Sequence, residues 1–198
     1  MRPARFRGRG KGGFMLFKDI AKLTAGLLDR EDVAEDIESG AGNAQTKRER
    51  ALIERCVNLA IAQTAAEYAP LRAEAEIYTE NGLVEFSALE KNAADLVRVT
   101  DRYGNDLAVK YYSDYFKTAP GTIRVEYTYL PDRCAADDEA PLGDRRITAS
   151  LVAFGAAAEY CLIAGLYDEA AAWNEKYVGG MRRALTGRNK VMKERRWV

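Results

Sequence analysis

Histidine is absent from the 198 residues. That removes the side chain most often used as a general base near neutral pH and the commonest zinc ligand. Cysteine is scarce: Cys56, Cys134 and Cys161 share no C-x-x-C spacing. An odd number so thinly spread argues for reduced thiols in a cytosolic setting rather than a disulfide frame. Cys161 has no histidine to activate it as a nucleophile and reads as packing. Long apolar runs are also lacking, since the nearest, over 151–166, is short for a bilayer and carries Glu159. No membrane partner is expected. The arginine-rich beginning has no following apolar stretch or cleavage site, so no secretory signal is read there. Net charge is missing too, with 30 cationic against 30 acidic residues.

That balance hides an uneven distribution. Arg2, Arg5, Arg7, Arg9 and Lys11 open the chain, and Arg182, Arg183, Arg188, Lys190, Lys193, Arg195 and Arg196 close it against Glu194 alone, which leaves an acidic body between two basic ends. A 47% hydrophobic and 30% charged composition suits a folded domain, and the length suits one domain with room for a smaller subdomain.

The densest apolar pattern begins at Ile147, where Leu151, Phe154, Ala158, Cys161 and Leu162 follow helical spacing and the flanking positions are nearly as apolar. A helix with so few polar positions must be covered on most sides. Gly165 suits a left-handed helix end, and Leu166 to Glu169 restart a helix with acids near its N-terminus. In that second helix Trp173, Tyr177, Met181 and Leu185 recur every fourth residue. Gly155 and the alanines around it offer a low surface that another backbone can approach. Gly155, Ala156, Glu159, Trp173 and Tyr177 are therefore the expected subunit-packing residues.

Residues 1–14 have little to bury and read as a flexible basic arm. Their GRGKGG stretch is no phosphate loop, because no strand precedes it and Gly12 stands where Ser or Thr is needed. A first helix is predicted over 16–29 with Phe17, Ile20, Leu23, Leu27 and Leu28 inward. Residues 30–46 read as a loop with one helical turn around Val33 and Ile37. A second long helix from Gln45 or Thr46 to Tyr68 places Leu52, Cys56, Leu59 and Ala60 on one face, with Ile53 and Val57 beside it, and ends before Pro70. From Pro70 to Pro131 the period changes to two. A hairpin is predicted at Asn81-Gly82, a strand at Leu96 to Val99 with a partner at 107–112, and a one-sided strand carrying Ile123, Val125, Tyr127 and Tyr129. Residues 132–144 form a polar acidic linker, and 187–198 have no apolar period.

The expected fold is thus α+β: a helical bundle of about four helices from 15–69 and 145–186, with a small antiparallel β subdomain over 70–131 inserted between the second and third long helices. The basic arm precedes it, the linker 132–144 rejoins it, and a basic tail follows at 187–198.

Catalytic chemistry finds little support. Asp132, Asp137, Asp138, Glu139 and Asp144 are dense but lack the spacing and central glycine of a calcium loop. Glu159 reads as paired with an arginine such as Arg55 or as exposed at a subunit interface. Tyr111, Tyr112, Tyr115 and Phe116 could stack on a sugar or base, but are read as aromatics buried by a sheet. In the tail, Arg188, Lys190, Lys193, Arg195, Arg196 and Trp197 combine charge with an aromatic, the residue types that anchor protein grooves. No catalytic residue, cofactor or metal ligand is expected.

Several phrases resemble the head-to-tail connector (adaptor, or head-completion) proteins of tailed bacteriophages: Met15-Leu16-Phe17-Lys18-Asp19 at the first helix, Thr118-Ala119-Pro120-Gly121-Thr122-Ile123 to Tyr129-Leu130-Pro131 at the end of the strands, and Phe154-Gly155-Ala156-Ala157-Ala158-Glu159-Tyr160 leading to Gly165-Leu166-Tyr167-Asp168-Glu169-Ala170 and Trp173. The resemblance covers about residues 15–198 in the order of elements as well. It implies a non-enzymatic virion protein, assembled in the host cytoplasm into a homo-oligomeric ring, typically of twelve copies. Its tail would dock on the portal, a tail-proximal connector or tail protein would sit on the other side, and genomic DNA would pass through the channel without sequence-specific binding. The alternative is another phage or prophage module, such as a tail-completion or head-surface protein.

Overall fold

The computed structural model describes residues 15–186, and within them the chain is α+β. Helix α1 spans Phe17–Leu27, α2 Glu31–Ser39, α3 Ala44–Gln63, α4 Ala149–Ile163 and α5 Tyr167–Leu185. Between α3 and α4 run six strands: β1 Leu71–Thr79, β2 Leu83–Glu85, β3 Ala93–Asp101, β4 Lys110–Tyr111, β5 Tyr115–Lys117 and β6 Gly121–Tyr129. Five α-helices are therefore present among the described residues, where about four were expected. The additional one is α2, in the stretch read as a loop. Glu31 and Asp32 sit in its first turn, where acids favour a helix start, and Val33 and Ile37 bury the same side. Gly40, at φ 68°, ends it in the left-handed region.

Helix α4 is the centre of the helical layer, packed against α1, α3 and α5. Its fully buried face holds Val152, Ala153, Gly155, Ala156, Ala157 and Cys161. Leu162, expected inside, is exposed, and Leu151 and Phe154 are half-buried. Two other helices are rotated from their expected faces. In α1 the inner side is Phe17, Ile20, Ala21, Thr24 and Ala25, with Leu23 exposed; in α3 it is Ile53, Cys56, Val57, Ala60 and Ile61, with Leu59 exposed. In α1 the alanines Ala21 and Ala25 sit on the buried side and Leu23 turns outward, whereas in α3 Ile53, Val57 and Ile61 share the inner side with Cys56 and Ala60. Helix α3 starts at Asn43, whose side-chain oxygen accepts from the amides of Gln45 and Thr46, and it closes in a π-helical turn over Thr64–Tyr68.

The strands form two antiparallel three-stranded sheets, in the orders β1-β6-β3 and β2-β5-β4. Strand β6 is central to the first, with Val125 opposite Ala75 on one side and Val99 on the other. Its alternation is as predicted: Ile123, Val125 and Tyr127 are buried, and Tyr129 packs at the edge of their cluster. Val84 and Phe116 of the second sheet complete that core. The hairpin predicted at Asn81-Gly82 is not formed between its flanking strands, because β1 pairs with β6 and β2 with β5. The Asn-Gly pair instead carries the chain from one sheet to the other. Leu83 donates to the Asn81 side chain, and the Gly82 carbonyl accepts from Thr118. The partner predicted for β3 at 107–112 contributes only a bridge at Thr100 and Asp106 and a bond from Leu107 to Val99, and β4 joins the other sheet.

The acidic stretch 132–144 keeps Asp132, Asp137, Asp138 and Glu139 exposed, and its backbone acts as a strap. Asp138 and Ala136 accept from the amides of Phe17 and Lys18, two of the donors that the start of α1 leaves free, and Ala140 donates to Met15. Asn58 on α3 holds both sides of the Cys134 backbone, at 2.8 and 3.2 Å. At Gly143 the strap passes so close to Ala69 that a Cβ would lie 2.2 Å from its carbonyl oxygen.

Candidate functional site

The residues expected at a subunit contact divide into two groups. Gly155, Ala156 and Tyr177 lie in the chain's own helical core and offer no surface to a second copy. A Cβ on Gly155 would meet the Tyr177 ring at 3.1 Å and the Ala60 methyl at 3.3 Å, so the backbone approach that glycine permits is made within the chain. The Tyr177 hydroxyl is 3.0 Å from that of Thr64, which donates to the Ala60 carbonyl at 2.7 Å, and its ring meets Tyr68 edge-on. Burial pushes the Tyr177 phenol up to about 12.

Glu159 and Trp173 remain accessible. Trp173 is half-buried, stacked on Phe154 at 5.7 Å with the Lys176 ammonium 4.0 Å above its ring. Glu159 is half-buried beside a cavity of about 260 Å³ that Gln63, Leu162, Tyr167 and Asn174 also line. The pairing with Arg55 is not made; Glu159 enters none of the ion pairs among the described residues. Arg188, Lys190, Lys193, Arg195, Arg196 and Trp197 lie outside the described residues.

Two surfaces stand out that the sequence reading passed over. The first is the corner between α4 and α5, where Leu162, Ile163, Leu166 and Tyr167 are 49%, 53%, 44% and 70% exposed. Four large apolar side chains within six residues form a contiguous patch of the kind that marks contact sites. Gly165 makes the corner, in the left-handed region at φ 76°. A helical hairpin cannot cover its own tip, so apolar residues flanking a predicted Gly165 turn were the available signal. The second is a groove of about 560 Å³ between α3 and residues 131–134, with Leu52 and Leu59 along it and Arg48, Arg55 and Arg133, together with Glu54 and Asp132, around it. Arg55 and Leu59 were each noticed in the sequence, but not as one surface, because their partners arrive from 70 residues away.

The three thiols are all shifted towards the protonated form. Burial pushes the Cys56 thiol up to about 11, with Glu159 acting in the same direction, and raises Cys161 and Cys134 as well. No group of three or more Cys, Asp or Glu among the described residues is arranged to hold a metal ion. The aromatic group is not the buried set expected. Only Phe116 is inside, whereas Tyr111 and Tyr112 are exposed, and Tyr112 stacks on Tyr115 at 4.5 Å with Lys110 and Lys117 near its ring. The second sheet is only two or three residues deep and cannot cover them. No helix among the described residues is long and apolar enough to cross a membrane. Comparison with protein families and with curated proteins finds no match to this chain.

Proposed function

We propose that the protein is a structural, non-catalytic virion component: a ring-forming head-to-tail connector of a tailed phage that docks under the portal and encloses part of the DNA channel. The observation that carries this reading is the exposed apolar corner at Gly165, on a chain whose elements run helices, strands, helical hairpin. A monomer gains nothing from four uncovered apolar side chains at one tip, whereas a subunit that must be covered by its neighbours does. The finer architecture belongs to the same proposal. Helices α1, α3, α4 and α5 act as the four-helix bundle, α2 is a short addition, and the strands between α3 and α4 serve as an inserted subdomain. The tail with Arg188, Lys190, Lys193, Arg195, Arg196 and Trp197 docks on the portal.

Negatively stained images of the purified full chain, alone and mixed with a portal protein from the same genome, test the reading. Rings with a central opening are expected in at least one of the two samples. Single compact particles in both would overturn it. Removing residues 187–198 should abolish co-sedimentation with the portal, and unchanged co-sedimentation would count against the tail as the docking element.

A further inference from the structure

Of the open surfaces in this fold, two are complementary in both polarity and charge. The α4–α5 corner projects Leu162, Ile163, Leu166 and Tyr167, and continues into Asp168 and Glu169, both exposed. The groove beside α3 is lined by Leu52 and Leu59 and by Arg48, Arg55 and Arg133; Glu54 and Asp132 line it too, but Glu54 is already paired with Arg50, which leaves three arginines against one acid. Among the described residues none of these three arginines and neither Asp168 nor Glu169 belongs to an ion pair.

One copy cannot join the two by itself. Glu49 and Ala60 of α3 face α4, as the Tyr160–Glu49 bond of 2.7 Å and the Ala60–Gly155 approach record. Arg48 and Leu59 stand one residue before them, a turn of about 100° around the helix axis. Corner and groove therefore open on different sides of α3. We propose that the α4–α5 corner of one copy seats in the α3 groove of the next, its leucines and tyrosine on Leu52 and Leu59 and its two acids against the three arginines. The partner is a second copy of this chain. A contact between two different surfaces leaves a free corner at one end and a free groove at the other, so it propagates from copy to copy and closes only as a ring. Opposed charges across it would fix the register and penalise the wrong orientation. The inference rests on the ring proposed above and names the surfaces that build it.

The test is reciprocal charge exchange in the full chain, read by light scattering coupled to size exclusion. A corner variant carries Asp168→Arg with Glu169→Arg, a groove variant carries Arg48→Glu with Arg55→Glu, and a third carries all four. All four positions are exposed, so the groove variant should match the wild type in melting temperature; the corner variant, which reverses two acids in the first turn of α5, should melt a few degrees lower while keeping its helical circular dichroism. Each two-site variant should weaken self-association about a hundredfold or more, and the four-site variant should regain it. Tyr167→Ser, at the most exposed corner position, supplies an independent check by weakening assembly without any charge change.

Assembly unaffected by either two-site variant would overturn the corner-and-groove contact while leaving the ring standing. So would a four-site variant that stays dissociated. A corner variant that assembles as the wild type does but loses portal binding would assign the corner to the portal and end the proposal. A wild type that remains monomeric at every soluble concentration would also overturn it, and the images with portal would then decide the ring separately.

Discussion

At the residue level the most consequential side chain is Tyr177, which fills the space opposite Gly155 and closes the Thr64 hydrogen bond. Tyr177→Phe should cost about 1 kcal/mol in urea unfolding, since Thr64 keeps its bond to Ala60 and only one buried partner is lost. Tyr177→Ala should cost about 3–5 kcal/mol through the cavity. The phenol also gives stability a pH dependence. In the folded chain it is pushed up to about 12 from an ordinary 10.0, and the Cys56 thiol up to about 11 from 9.0. Each group favours the fold while it holds its proton. That contribution is whole below pH 9 and is lost as the pH climbs through the folded-state values. The urea midpoint should therefore hold level from pH 7 to 9 and fall above it. Tyr177→Phe should flatten the upper part of the fall and Cys56→Ala the lower part; an unchanged slope would remove these two groups as its cause. Gly82 makes a simpler demand. At φ 72°, with a Cβ position 2.1 Å from the Thr118 carbonyl oxygen, Gly82→Ala should cost about 1–3 kcal/mol or more in the same assay.

At the level of elements, what was legible depended on whether the deciding contact was local. The boundary at Gly165, the acids that start α5 and the alternation of β6 were read correctly because each is set by a few neighbouring residues. The faces of α1 and α3 were read less well. In α1 hydropathy ranks Leu23 above Ala21 and Ala25, whereas close helix packing selects the alanines; in α3 Ile53, Val57 and Ile61 are as apolar as Leu59, so hydropathy by itself does not fix the rotation. Asn81-Gly82 carries a sound turn signal, yet the strands it joins pair elsewhere, and pairing depends on partners 30 to 58 residues distant. The strap was missed because its bonds run from backbone carbonyls of an acidic stretch to amides over 100 residues earlier, a pattern that composition does not encode. Two expectations follow. Asn43→Ala, which removes the α3 cap, should cost about 1 kcal/mol. Asn58→Leu should release the strap at Cys134, seen as faster hydrogen exchange at that amide and earlier protease cleavage near 132–139, with the strands unaffected.

For the whole molecule, most of the buried apolar residues fall into two clusters with no member in common, one among the helices and one between the sheets. Val125→Ala should accordingly speed hydrogen exchange through β1, β3 and β6 and leave α4 slow; a uniform rise would mean a single cooperative unit. The sequence showed where helix period gives way to strand period. It could not show that the α4–α5 corner would be left bare or that three arginines would gather around one groove, because both are properties of the assembled surface. The three cysteines carry a practical consequence. Cys56 and Cys161 have no exposed area and Cys134 is half-buried on the strap, so the native chain holds two sealed thiols and one within reach. A thiol-reactive dye should modify one site per chain promptly and the other two only as fast as α3 and α4 part, giving a clock for breathing at the centre of the protein that needs no substitution at all.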